Sequence, residues 1–183
     1  MKERNNKPAF FSQIPVLLID SVIERKKYIV FTLVMLALNY GADKITKILA
    51  AKYLPGKGSV YVLRDFFILQ YTENSGAFLS LGEDWFTAIK YIVLAIIPIA
   101  ACIFGIVYIM FFEKRLAKTV TLACIIGGGL GNLIDRLMND FLVVDFMNFG
   151  IGSVRSGILN VADLSVTFGI IVFLFLELTE KRI

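Results

Sequence analysis

The chain has 183 residues, 57% of them apolar and 19% charged, with a net charge of +4. A soluble domain of this length cannot bury so much apolar surface, whereas a bilayer removes the need to. Histidine is absent, which excludes a Ser-His-Asp triad, a Cys-His pair and an imidazole-ligated zinc site. No continuous basic face is available to hold nucleic acid.

Residues 10–19 are apolar but too short to cross a membrane, and Pro15 with no small-residue cleavage site argues against a signal peptide. Residues 16–27 read either as an amphipathic helix on the cytoplasmic membrane surface or as a disordered tail. Residues 1–27 are therefore set apart as a cytoplasmic N-terminal extension without an assigned role, and residues 28–183 form one membrane domain. A first span covers about 28–52, long enough for a hydrocarbon core of about 30 Å. The following stretch, 59–81, contains VYVLRDFFILQY and then the turn-prone ENSG. It predicts a short strand pair or small sheet over the membrane surface.

A second span at 85–112 carries Pro98, which predicts a kink tolerated by neighbouring helices. Trp85 and Tyr91 suit the outer interface, with Lys90 snorkelling beside them. The third span, about 117–137, holds the glycine run GGGLG (Gly127, Gly128, Gly129, Gly131). That run lacks the Lys-Ser/Thr of a phosphate loop, and its Gly-xxx-Gly spacing points to close helix packing. Cys102 and Cys124 lie within apolar runs and read as packing residues. The segment FLVVDFMNF, 141–149, is too short to span and is expected to dip into the interface, while 141–157 reads as a loop. The fourth span covers about 161–178. Basic clusters at Arg25–Lys27, Lys114–Lys118 and Lys181–Arg182 fall on one side of this four-span arrangement, so both termini are expected in the cytoplasm.

Charges inside spans are costly and mark function. Helix rise puts Asp43 about 22 Å from the inner end of its span, Asp135 about 24 Å and Asp163 about 22 Å. Three carboxylates on three helices thus share an outer level, and Asp145 in the connecting segment is able to reach it. Lys47 follows Asp43 by one helical turn, which favours a structural ion pair. Asp135 adjoins Arg136, while Asn132 and Asn160 each precede an aspartate by three residues. Asp145 and Asp163 have no basic residue at i±3 or i±4. Asp145 stays open between a surface charge and a functional one; Asp163, heading an apolar helix, reads as functional.

Two carboxylates in a dry site share one proton and can hydrolyse an amide without metal, cofactor or covalent nucleophile. An ion- or proton-coupled carrier uses the same residue types, but it calls for a polar path through the membrane and often an internal repeat. Neither is visible here. A non-catalytic subunit of a complex is a third possibility.

At these residues the chain resembles bacterial lipoprotein signal peptidase (signal peptidase II). The motifs stand in family order: DKITK (43–47), ENSGAF (73–78), GGGLGNLIDR (127–136), VVDF (143–146) and LNVAD (159–163). The resemblance implies an all-α membrane protein of four transmembrane helices with a small periplasmic β cradle, in the bacterial inner membrane. It also implies an aspartyl endopeptidase that cleaves diacylglyceryl-modified prolipoproteins just before the lipidated cysteine, near the periplasmic face. Membrane lipid is the other expected partner; no cofactor or metal is expected, and the chain is expected to act as a monomer. By motif the catalytic pair would be Asp145 and Asp163. Asn74, Gly128, Asn132, Asp135, Arg136, Asn160 and Ala162 would line or shape the site, and Asp43 with Lys47 would brace the first helix. Leu159 and Phe78 depart from the family pattern, both by apolar changes.

Overall fold

The computed structural model describes residues 10–76, 82 and 84–180, with side chains described from Arg25 onward apart from a few positions near residue 80. Among these, four helical segments are long and apolar enough to cross a bilayer: Arg25–Tyr53, Thr87–Phe111, Leu116–Met138 and Val161–Glu180. They match the expected spans to within a few residues. The first is the later part of helix α1 (Phe10–Tyr53), whose 44 residues make it about 66 Å long. The backbone of 10–24 therefore continues the span, neither a separate surface helix nor an unstructured tail.

Helix α2 (Thr87–Phe111) contains a π-helical turn at Ile92–Ile96, just ahead of Pro98. Proline has no N–H for the i−4 carbonyl, and a wider turn absorbs the mismatch. The irregularity expected at Pro98 takes this form. Helix α3 (Leu116–Met138) is the central member of the bundle, and α4 (Val161–Glu180) runs against it. The glycine run makes that closeness possible. A Cβ on Gly127 would lie 2.9 Å from Asn39 Cβ of α1, and one on Gly128 would lie 2.5 Å from the Ala162 carbonyl of α4. One on Gly131 would lie 2.9 Å from Asp43 Oδ2 of α1. Leu38, Phe104 and Phe175, 60%, 72% and 64% exposed, point outward where lipid replaces water.

The surface sheet is larger than expected. Strands β1 (Val60–Leu63) and β2 (Phe67–Asn74) form the predicted pair, and β3 (Val143–Ile151) and β4 (Val154–Leu159) extend it in the order β1-β2-β3-β4, all antiparallel. The stretch 141–149 is thus largely a strand, and most of 141–157 is a hairpin instead of a loop. The hairpin turns at Gly152, whose φ of +59° favours glycine. Pairing with β2 satisfies the backbone of β3 that would otherwise sit unbonded near lipid. Phe67 stacks on Phe149 with ring centroids 4.7 Å apart. The sheet packs through Phe146 and Met147 onto Ala50 and Leu54 at the end of α1.

At the opposite end of the bundle, where α2 connects to α3, charged groups tie helices together. Arg25 donates to the carbonyls of Ile109, Phe111 and Glu113 at 3.2, 2.9 and 2.6 Å. Lys118 bridges Glu177, at 2.6 Å, and Glu180.

Candidate active site

The site forms where α1, α3 and the start of α4 meet the β2–β3 edge. Its foundation is the first turn of α4, whose leading N–H groups have no partner within the helix. Asn160 caps that turn: its Oδ1 accepts the Asp163 N–H at 2.9 Å, and Asp163 Oδ2 accepts the Asn160 N–H at 3.1 Å. This is a reciprocal capping box in Asn/Asp form, readable in N-V-A-D. The N–H between them, on Ala162, donates to Asp43 Oδ1 at 2.9 Å. Two carboxylates thus lie at the positive end of the helix dipole.

Asp145 comes from β3 and is 3% exposed. Its pairing register sets Thr72 opposite it and Asn74 opposite Val143, so Asn74 is its diagonal neighbour on the same face. Asn74 Nδ2 donates to Asp145 Oδ2 at 2.9 Å, and Asn160 Nδ2 donates to Asp145 Oδ1 at 2.6 Å. Burial pushes the Asp145 carboxyl up to about 6, with the nearby Asp163 charge adding to it against the pull of Asn74, Asn160 and Lys47.

A support layer stands beside the pair. Lys47 Nζ lies 2.6 Å from Asp43 Oδ2, 2.8 Å from Asp135 Oδ2 and 2.8 Å from Asn132 Oδ1. Lys44 holds the other oxygen of Asp135 at 2.9 Å. Asn132 Nδ2 in turn donates to Asp163 Oδ1 at 2.8 Å, and its oxygen also accepts Asn160 Nδ2 at 3.0 Å. Arg136 Nη2 donates to the Gly76 carbonyl at 2.7 Å, and the Gly76 N–H donates to Asn74 Oδ1 at 2.8 Å.

Asp145 and Asp163 both line one small polar cavity of about 20 Å³, together with Asn74, Asn132, Arg136, Asn160, Val143, Ile158 and Leu159. That is room for a single water with polar partners on several sides. Of the residues singled out from sequence, these two aspartates, the three asparagines and Arg136 converge there. Asp43, Lys47, Asp135, Gly128 and Ala162 do not line it; they hold its walls. Asp135, as deep as the others, is matched by two lysines. Lys44 escaped notice because an i, i+1 neighbour of Asp43 does not share its helix face. Leu159, a departure from the family pattern by sequence, lines the cavity with Ile158, and both end β4, a strand the sequence reading does not anticipate. Ala77 and Phe78 lie outside the described residues. A second cavity of about 450 Å³ lies between α3 and α4, reached by Asn39 of α1. It is apolar and starts at Val161, beside this site.

Residues 31–179 match the family described as signal peptidase (SPase) II. The chain belongs to that family. It is 36% identical over 146 residues to the lipoprotein signal peptidase of Borreliella burgdorferi (strain ZS7), covering 76% of this chain and 85% of that one. The lipoprotein signal peptidase of Caldanaerobacter subterraneus is 34% identical over 151 residues, covering 82% and 98%. A solved structure described as a bacterial membrane enzyme, determined by the in meso method at 2.3 Å resolution, superposes with a TM-score of 0.72 at 25% identity, covering 82% of this chain and 88% of that one. As a signal peptidase II family member the chain is a membrane-embedded peptidase. The carrier reading of its intramembrane charges is not supported.

Proposed function

We propose that this signal peptidase II family member removes signal peptides from diacylglyceryl-modified prolipoproteins by aspartic catalysis, cutting before the lipidated cysteine. The observation that carries this reading is the single-water cavity bounded by both Asp145 and Asp163. Asp163 is the carboxylate: both its oxygens receive N–H groups, one from the α4 cap, at a helix start that favours negative charge. Asp145 is the acid, held by neutral amides in a buried setting with its carboxyl near 6. In the reaction a water between them gives its proton to Asp163 as its oxygen attacks the scissile carbonyl carbon. Asp145 gives its proton to the carbonyl oxygen; as the resulting gem-diol collapses and the C–N bond breaks, Asp163 gives its proton to the departing amine and Asp145 regains one from a gem-diol hydroxyl.

The apolar groove beginning at Val161, two residues before Asp163, supports a lipid-modified substrate lying alongside the helices, in contact with membrane lipid. Both aspartates and the amides that hold them stand on this chain, so a monomer carries a complete dyad. The basic clusters support an inner-membrane orientation with both termini cytoplasmic and the site at the periplasmic face. They also support residues 1–27 as a cytoplasmic extension of a 28–183 peptidase domain. Purified protein is expected to cleave a lipidated prolipoprotein and to leave its unlipidated form intact. Equal cleavage of both would overturn the substrate assignment.

A further inference from the structure

Helix α1 contributes no residue to the lining of the cavity, yet it supplies a buried ammonium that reaches toward it. Lys47, with its side chain 3% exposed, stands in ion-pair contact with Asp43 Oδ2 at 2.6 Å and Asp135 Oδ2 at 2.8 Å, and donates to Asn132 Oδ1 at 2.8 Å. The two carboxylates already balance its charge, and Asp135 has Lys44 as well. The third contact is directional. An ammonium only donates, and a carboxylate only accepts. Between Lys47 and Asp163 the planar amide of Asn132 therefore has one favourable orientation, oxygen toward the lysine and Nδ2 toward Asp163 Oδ1 at 2.8 Å. A flipped amide would set N–H₂ against the ammonium and against Asn160 Nδ2, and would turn its oxygen on the Asp163 carboxylate. Asn160 assists by donating to the same oxygen at 3.0 Å, but it also serves Asp145.

We infer that Lys47 is a positioning residue for the reaction, acting through Asn132 to aim an amide N–H at Asp163 and so to keep that carboxylate oriented toward the water. This inference rests on the dyad reading above. A merely structural Lys47 would act through Asp43 and Asp135 alone and would be indifferent to the identity of residue 132.

Removing the lysine by itself strands buried carboxylates and risks unfolding. The test therefore uses a charge-balanced pair, Asp43→Asn with Lys47→Met, measured with Asn132 present and in an Asn132→Ala background. With Asn132 present, kcat on a lipidated prolipoprotein is expected to fall roughly 10- to 100-fold, the scale of a lost hydrogen bond to a charged group, with KM held within about twofold. In the Asn132→Ala background the same pair is expected to change kcat by less than about twofold, because the interaction is already gone. Asp43→Asn with Lys47→Gln carries the same cycle should the methionine variant not fold, with the same direction and a smaller loss. Losses that multiply across the cycle, or an unchanged kcat in folded protein, would overturn the role of Lys47. Asp145→Asn and Asp163→Asn are assayed alongside. Turnover by those variants would sink the dyad reading itself, whereas dead dyad variants with a multiplicative cycle would sink only the positioning inference.

Discussion

The two ends of the helix bundle are both rich in charge, and they use it differently. Where α2 connects to α3, charged groups are answered by full charges or by backbone. Glu113 accepts the N–H groups of Lys114 and Arg115 at 2.8 and 2.7 Å, Lys118 spans two glutamates, and Arg115 meets Glu180 at 2.5 Å. At the sheet end the neutralisation is uneven. Asp43 and Asp135 have Lys47 and Lys44, while Asp145 and Asp163 are answered mainly by amides and backbone N–H groups. A carboxylate matched by a lysine has little left to do chemically. One held in place by neutral donors, in a cavity that admits water, keeps its proton exchange available.

That contrast is testable from its strongest consequence downward. Asp145→Asn or Asp163→Asn is expected to reduce cleavage of a lipidated prolipoprotein by roughly 10³-fold or more, while detergent extraction and thermal melting show a folded protein. Appreciable turnover by either would remove the distinction between the two ends.

Gly128→Ala is expected to come next. Its Cβ would stand 2.5 Å from the Ala162 carbonyl and 3.0 Å from Val166 Cγ2, so the start of α4 must move and take Asp163 with it. A displacement near 1 Å costs about 100-fold in rate, read in kcat by the same assay.

The pH profile gives a smaller, graded effect. The Asp145 carboxyl is pushed up to about 6 by burial, with the Asp163 charge adding to it. The proposed mechanism requires its acid form, so kcat should fall with rising pH, approaching about tenfold per unit above the midpoint. Burial by bound substrate raises the carboxyl further, which puts that midpoint at or above 6. The same shift has a sign for stability. Between about 4 and 6 the folded protein holds a proton that the unfolded chain has released, so this group's contribution declines as pH rises through that window. A kcat that climbs steadily from pH 6 to 9 would contradict the assignment of Asp145 as the acid.

Lys118→Met at the other end should do least to chemistry. It removes the bridge between Glu177 and Glu180, so a melting temperature lower by a few degrees is expected with kcat within about twofold of the parent. A large loss of kcat with unchanged stability would show that the connection end is more than a fastening.

Much of this arrangement is legible in the residues. Four apolar runs of near-membrane length announce four spans, because each backbone crossing lipid must satisfy itself as a helix. Helix rise alone brought Asp43, Asp135 and Asp163 to one level, and Lys47 one turn beyond Asp43 announced their ion pair. The extra strands were hidden because FLVVDFMNF is apolar on both faces. A short uniform run of that kind gives no period-2 signal, and its pairing partner β2 lies some seventy residues earlier. The cap formed by Asn160 and Asp163 was visible as N-x-x-D, but spacing alone could not say that Asn160 also bridges to Asp145.

The sequence by itself therefore determined the membrane class, the spans and the depth of the charged residues, since these follow from hydropathy and a fixed rise per residue. Only the tertiary structure decided that Asp135 too is neutralised by lysines, Lys44 and Lys47, and that Asp145 and Asp163 share a cavity. That outcome depends on α3 lying against both α1 and α4 through glycines, and on β3 pairing in the register that turns Asp145 toward Asn74 and Asn160. Contacts of this kind join residues far apart in the chain, and no local periodicity encodes them.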